Sequence, residues 1–326
     1  MDARDLIDDL AEVLVVPSFT RTGFRLRRRL HAWPEAESYS MAGRTVVLTG
    51  PTSGLGRAAA GAFARMGARL VLVGRDAGRL ERTRNELVVK TPGVSASTVV
   101  ADMASLASVR AAAAEILTRE PRLDVIVDNA GTVVPTREVT HENFERTFAT
   151  MVLGPFVLVA RLLSRLIDSP DGRLVAVTSG GMYAQSLPLD DLGYERGTYN
   201  GPRAYARAKR AQVALVREWA RRLDGVGVTV NAMHPGWANT PGLEASLPGF
   251  AKLVGGQLRS PGEGADTMLW LAAAPDARGR AGRLFLDRRA RPFDRIPRTR
   301  LSAADRAALW NAVLELTGEP DPTAGR

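Results

Sequence analysis

The chain contains no cysteine. That excludes a disulfide framework, a thiol nucleophile and a thiolate metal site. It says nothing positive about compartment, for which the cytoplasm is the default expectation. Lysine is nearly as scarce: Lys90, Lys209 and Lys252 are the three, so the formal net charge of +9 is carried almost wholly by arginine. His31, His141 and His234 are far apart in sequence and have no partner one helical turn away, so no metal site is expected. No run of about 18 apolar residues is free of charge, which argues against a transmembrane helix. The opening Met1-Asp2-Ala3-Arg4-Asp5 does not read as a signal or transit peptide. An arginine-rich balance can serve a nucleic acid or an anionic membrane. Here the arginines are scattered apart from one N-terminal cluster, and no nucleic-acid-binding signature accompanies them, so no nucleic-acid partner is expected.

What is present is a 326-residue chain with 45% hydrophobic content, ordinary for a packed globular protein. Three regions stand out: an arm over residues 1–40, an alternating core over 41–287, and a tail over 288–326. The core carries short apolar runs at Thr45–Thr49, Leu70–Val73, Ser97–Val100, Val125–Val127, Leu174–Val177, Val226–Val230 and Leu284–Leu286. Helical patterns separate them near 76–90, 104–119, 140–168, 203–223 and 261–273. Strands apolar on both faces, alternating with helices, imply a parallel sheet covered on both sides. The expected fold is α/β: a single doubly wound Rossmann-type domain with a seven-stranded parallel sheet, an N-terminal helical arm and a C-terminal helix.

The first strand runs into Thr49-Gly50-Pro51-Thr52-Ser53-Gly54-Leu55-Gly56, a G-x-x-x-G-x-G turn that opens a helix. Such glycines allow a tight turn and close approach to a pyrophosphate, and the helix N-terminus adds free N–H groups and partial positive charge. The second strand ends in Val73-Gly74-Arg75-Asp76. A carboxylate at that strand end would hold an NAD ribose; Gly74 stands there instead, with Arg75 beside it, and guanidinium suits a 2′-phosphate. NADP(H) is therefore expected ahead of NAD(H), with Asp76 keeping the second open.

Tyr205 and Lys209 are four residues apart in Tyr205-Ala206-Arg207-Ala208-Lys209, so on a helix they share a face. A phenol titrates near pH 10 and needs a cation nearby to act at neutral pH. Alone the spacing is weak. Its weight comes from strand Leu174–Val177 running into Thr178-Ser179-Gly180-Gly181, which places Ser179 at the sheet edge where doubly wound folds bind ligands.

With these residues together, the chain resembles the short-chain dehydrogenase/reductase superfamily over about residues 43–287. Further support comes from Asp102, Asn129-Ala130-Gly131 and Pro235-Gly236. Thr178 to Tyr183, Met233 to Gly242 and Leu284 to Arg288 are similar to the branch holding dehydrogenase/reductase SDR family member 12 and the retinol-dehydrogenase-like enzymes. The resemblance implies that Tyr205 is the acid–base group, that Lys209 lowers its pKa and holds the nicotinamide ribose, and that Ser179 bonds the substrate oxygen. It implies further cofactor contacts from Gly50, Thr52, Ser53, Gly54, Leu55 and Gly56. Asp102 and Met103 would lie at the adenine, Asn129, Ala130 and Gly131 on the adenosine side, and Pro235, Gly236 and Thr240 around the carboxamide. Asp102 also reads as a helix N-cap. One position departs: Met151 stands where the family has the asparagine that completes the active site. In the family's relay, a water bonds that residue's backbone carbonyl. Pro155 has no N–H to give Met151, so the carbonyl is expected to stay free for the relay without the amide.

Phe19, Gly23, Leu26, Leu30 and Trp33 recur at helical spacing among Arg21, Arg25, Arg27, Arg28 and Arg29. This reads as a basic amphipathic helix, offered to an anionic bilayer, to the protein's own sheet, or to a second copy in a homodimer. The resemblance implies that the segment after the sixth strand covers the substrate; its Leu243, Leu247, Phe250, Leu253, Val254 and Leu258 suggest a lipophilic substrate, or equally the underside of a packed lid. Ser302 to Thr317, ended by Gly318, reads as a final helix. The expected function is hydride transfer between NADP(H) and a lipophilic carbonyl/alcohol pair. A cofactor-binding sensor or scaffold with little turnover is the alternative, and an arm-led docking module is a third.

Overall fold

The computed structural model describes Asp8, Glu12 and residues 15–246, 249, 252 and 254–325. Two short helices open it, α1 (Val15–Phe19) and α2 (Arg21–Leu30). Then β1 (Thr45–Thr49), α3 (Gly54–Arg65), β2 (Arg69–Gly74), α4 (Ala77–Lys90), β3 (Ala96–Val100), α5 (Leu106–Arg119) and β4 (Val125–Asp128) alternate. The long helix α6 (Arg146–Ile167) follows, then β5 (Gly172–Val177), α7 (Gly201–Arg222) and β6 (Val228–Met233). The chain continues through α8 (Pro241–Ser246), α9 (Pro261–Ala273), β7 (Arg283–Leu286), β8 (Arg289–Arg291) and α10 (Ala303–Thr317).

The sheet has eight strands in the order β3-β2-β1-β4-β5-β6-β7-β8, all parallel except the last. Strand order reverses between β1 and β4, which opens a crevice at their carboxyl ends. One apolar core lies against α5, α6, α7 and α10, the other against α3 and α9. Helix α6 is apolar and long enough to cross a membrane by length and composition, yet most of it is buried in the first core. Trp310 of α10 fills a pocket there, its ring 5.0 Å from Phe156 and 4.7 Å from Trp219. Helix α10 has the expected limits, with a Ser302–Asp305 capping box and Gly318 left-handed at its end.

The sheet departs from expectation in two places. β6 begins at Val228 rather than Val226, because Gly227 takes φ +84° and the strand continues through Asn231 and Met233. An eighth strand joins β7 by a two-residue hairpin whose central residues, Asp287 and Arg288, both have positive φ. That is type I′ geometry, normally an Asn-Gly or Asp-Gly signal. Here buried ion pairs hold it. Asp287 meets Arg27 at 2.7 Å and Arg259 at 2.5 Å, and Arg288 meets Asp266 at 2.6 Å.

The arm helix forms, but on a different face. Gly23, Phe24 and Arg27 are buried, whereas Leu26 is 41% exposed and Leu30 half-buried. Gly23 sets the rotation: a Cβ there would lie 2.4 Å from the Pro17 carbonyl. Of the expected face, Gly23 is turned into the protein, while Leu26 stays exposed and Leu30 half-buried. Arg27 is fully buried among Asp8, Glu12 and Asp287.

Candidate active site

A cleft of about 870 Å³ runs along the carboxyl ends of the strands from the β1 turn to Tyr205. Every cofactor-side residue named from the sequence lines it. The glycine turn is built for close approach. Gly50 and Gly54 have φ +66° and +49°, and a Cβ on Gly56 would lie 2.1 Å from the Gly50 carbonyl. Asn129 holds this turn to β4. Its Nδ2 donates to the Thr49 carbonyl at 2.9 Å and the Gly50 carbonyl at 3.2 Å, while Thr49 Oγ1 accepts from the Asn129 and Ala130 amides at 2.9 Å each. A dinucleotide of phosphates, riboses and flat rings fits such a cradle.

At the adenosine end Arg75 and Arg79 line the wall. The Asp76 carboxylate accepts the Arg79 amide at 2.9 Å as the N-cap of α4. Asp102 lines the cleft but does not cap α5. Ser105 does that, and Asp102 Oδ1 takes the Ala104 amide at 3.0 Å. On the opposite rim Gly236 has φ +68°, and a Cβ there would come 2.5 Å from the Arg259 guanidinium. Thr240 packs beside Gly54, and its Oγ1 accepts the Leu243 amide at 3.3 Å. His234 is structural: fully buried, its Nδ1 accepts the Gly236 amide at 3.4 Å, and burial pushes its pKa down to about 3.

Ser179, Tyr205 and Lys209 converge where β5 meets α7. The phenol and the Ser179 hydroxyl are hydrogen-bonded, and Ser179 Oγ also accepts the Gly181 amide at 3.3 Å. Lys209 Nζ lies 5.7 Å from the Tyr205 ring centre and donates to the Val177 carbonyl at 2.7 Å. The expected lowering of the phenol by the lysine is not what dominates. Burial raises Tyr205, and the Ser179 bond offsets it only in part. The phenol is therefore held neutral, the form that donates a proton. Burial also lowers Lys209 to about 8, with Asp128 acting against the drop.

Met151 is the exception among the named site residues. Its side chain is fully buried, and its neighbour Thr150 faces the cleft instead. A Cβ on Gly131 would lie 3.4 Å from Met151 Sδ and 3.8 Å from Lys209 Nζ, so the sulfur packs behind the lysine. Within α6, residues Ala149–Leu153 widen to a π-turn, and the Gly154 amide reaches back to the Ala149 carbonyl. Pro155 has no N–H, so the carbonyl four residues back, on Met151, gets no donor from it. π-turns of this kind concentrate at functional sites.

The sequence reading missed three contributors. Asp128 ends β4, and Gln212 lies one turn beyond Lys209; both are buried and hydrogen-bonded to each other. Phe19 of the arm lies under the site, its ring 5.7 Å from Trp237 and tight against Gly180. The Phe19 carbonyl accepts the Trp237 amide at 2.8 Å. The Asp128 signal was available, because it directly precedes the Asn129-Ala130-Gly131 motif. Phe19 had none, since Gly180 and Trp237 are more than 150 residues away. Of the expected lid, Leu243 lines the cleft and Leu258 is buried; Leu247, Phe250 and Leu253 lie outside the described residues.

The sheet order, the glycine cradle and the Ser-Tyr-Lys convergence together define a nicotinamide-dependent oxidoreductase site. The short chain dehydrogenase family profile matches residues 44–248, and the chain belongs to that family. It is 36% identical over 300 residues to dehydrogenase/reductase SDR family member 12 from Bos taurus, covering 91% of this chain and 93% of that one. It is 40% identical over 266 residues to retinol dehydrogenase 14 from Homo sapiens, covering 76% and 79%. Among solved structures it is similar to the 3-ketoacyl-(acyl-carrier-protein) reductase from Brucella melitensis complexed with NADH. There the TM-score is 0.60 at 25% identity, over 76% of this chain and 97% of that one.

Proposed function

We propose that the protein transfers hydride between NADP(H) and a lipophilic carbonyl or alcohol, with Tyr205 exchanging the proton. The observation that carries this is the convergence of Ser179, Tyr205 and Lys209 at the end of a cleft that begins in the glycine cradle. Bound there, the nicotinamide supplies the hydride. Ser179 would hold the substrate oxygen, and the neutral Tyr205 phenol would protonate it in reduction. Lys209, charged at neutral pH, would bond the ribose and stabilise phenolate as it forms. Arg75 and Arg79 favour a 2′-phosphate, because Asp76 is spent as a helix cap. Val133, Trp237 and Leu243 supply apolar walls at the substrate end, and the name of the retinol dehydrogenase relative points the same way.

The test is turnover of an aldehyde and alcohol panel, retinal and retinol included, with NADPH and NADH compared. Tyr205→Phe should lower kcat by roughly 10²–10⁴-fold while leaving NADPH binding intact. Turnover retained in Tyr205→Phe would remove the catalytic assignment, and preference for NADH would remove the cofactor assignment. Met151 favours a second reading, a cofactor sensor with little turnover. Tight NADPH binding without turnover, in wild type and Met151→Asn alike, would select it.

A further inference from the structure

Lys209 is 98% buried, yet among the described residues its hydrogen-bond acceptors are neutral: the Val177 carbonyl at 2.7 Å and Gln212 Oε1 at 3.2 Å. A buried ammonium held only by neutral groups is costly. Its counter-charge lies one residue further in. Gln212 Nε2 donates to Asp128 Oδ2. The Gln212 amide is therefore fixed in one orientation, its oxygen toward the cation and its N–H₂ toward the carboxylate. Ammonium, amide and carboxylate form a head-to-tail chain whose end charges polarise the middle.

Asp128 has no evident architectural duty. It is 95% buried, and its Oδ1 has no hydrogen-bond partner among the described residues. Among the described residues, Lys209 is the one charge acting on it, and Asp128 the one charge acting on Lys209. The elements packed around the pair contribute neutral groups. These are Thr49 from β1, the Val177 carbonyl from β5, Met151 from α6 and the Tyr205 phenol from α7.

We infer that Asp128 is a positioning residue for Lys209: bridged by Gln212, its carboxylate keeps the ammonium charged and aimed at the cleft. The inference rests on the reading of Lys209 as the ribose-binding lysine. Burial alone would drive Lys209 toward the neutral amine, and Asp128 opposes that drop. Burial raises Asp128 in turn to about 6, with Lys209 and Gln212 pulling it down. Both are thus ionised at neutral pH, with little to spare at the lysine.

The test is NADPH binding to the full-length protein, followed by quenching of tryptophan fluorescence between about pH 6.5 and 9.5. In wild type the Kd should rise through about pH 8, where Lys209 discharges. In Asp128→Asn the rise should begin about one pH unit lower, with roughly five- to tenfold weaker binding at pH 8 and near-normal binding at the acid end. An unmoved inflection, or uniform weakening at every pH, overturns the inference. Gln212→Leu keeps the carboxylate but cuts the bridge, and should shift the inflection the same way by less. It carries the test if circular dichroism shows Asp128→Asn unfolded, and an unmoved inflection there is equally fatal. Lys209→Met should flatten the dependence. If Lys209→Met instead keeps the wild-type curve, the ribose-binding role itself fails. If it flattens the curve while Asp128→Asn matches wild type, only the role of Asp128 fails.

Discussion

Two of the places where the protein buries charge treat it in opposite ways. Under the arm, Arg27, Arg259 and Arg291 face Asp8, Glu12 and Asp287, and both oxygens of Asp287 and of Asp8 are paired with arginine. Below the cleft, Asp128 and Lys209 communicate through one amide, and Asp128 leaves an oxygen bare. In the first cluster burial pushes Asp287 up, but Arg259 and Arg27 more than reverse it, so its carboxyl sits below the usual range. In the second, burial wins, and Asp128 rises to about 6. A carboxylate paired at both oxygens is locked in place. One with a bare oxygen keeps ionisation within reach of working pH, which is what a site needs.

The comparison is broken most forcefully from the structural side. Arg27→Met should cost about 3–5 kcal/mol in urea denaturation, because it strands buried carboxylates. A loss below about 1 kcal/mol would mean that the cluster is no tighter than a surface pair. The next effect is one of sign. Asp287, with its folded pKa lowered, contributes stability above its unfolded value of 3.8, lost as pH falls through the folded value. Asp128, with its folded pKa raised, makes the fold gain stability as pH falls from about 6 toward 3.8. Denaturation curves across pH should therefore show that gain missing in Asp128→Asn and kept in Asp287→Asn, whose acid loss below 3.8 is reduced instead. Equal slopes in the two variants would erase the distinction. The smallest effect belongs to Met151. Met151→Asn should change kcat only a few-fold if the backbone carbonyl suffices for the relay, whereas a rise of about a hundredfold or more would show the natural residue to be impairing.

The motifs and most strands could be read from the sequence because they obey local rules. Glycines must stand where backbone meets phosphate, and a tyrosine and a lysine one turn apart must share a face. The misses arose where tertiary contacts override those rules. Arg27 looks like a solvated arginine until Asp8, Glu12 and Asp287 surround it. Asp287-Arg288 lacks a turn glycine because ion pairs hold its backbone, so β8 had no signal. The Tyr205 balance was not legible because spacing does not reveal burial, which raises the phenol while the Ser179 bond lowers it only in part.

The clasp between arm and hairpin also sets an order of events during synthesis. Arg27 and its partner Asp287 are 260 residues apart. At about 5–20 residues per second, the arm leaves the ribosome roughly 13–50 s before its counterpart exists. Through that interval Phe24 and the arginines have no place to dock. The Trp237 loop must likewise wait for β7 and β8 before Arg259 can join arm to hairpin. The glycine cradle is translated early, but the Arg259 bonds that tie the facing rim to the hairpin can form only once Asp287 is made. On this account the nascent chain acquires its dinucleotide grip near the end of translation, with the arm as the final latch.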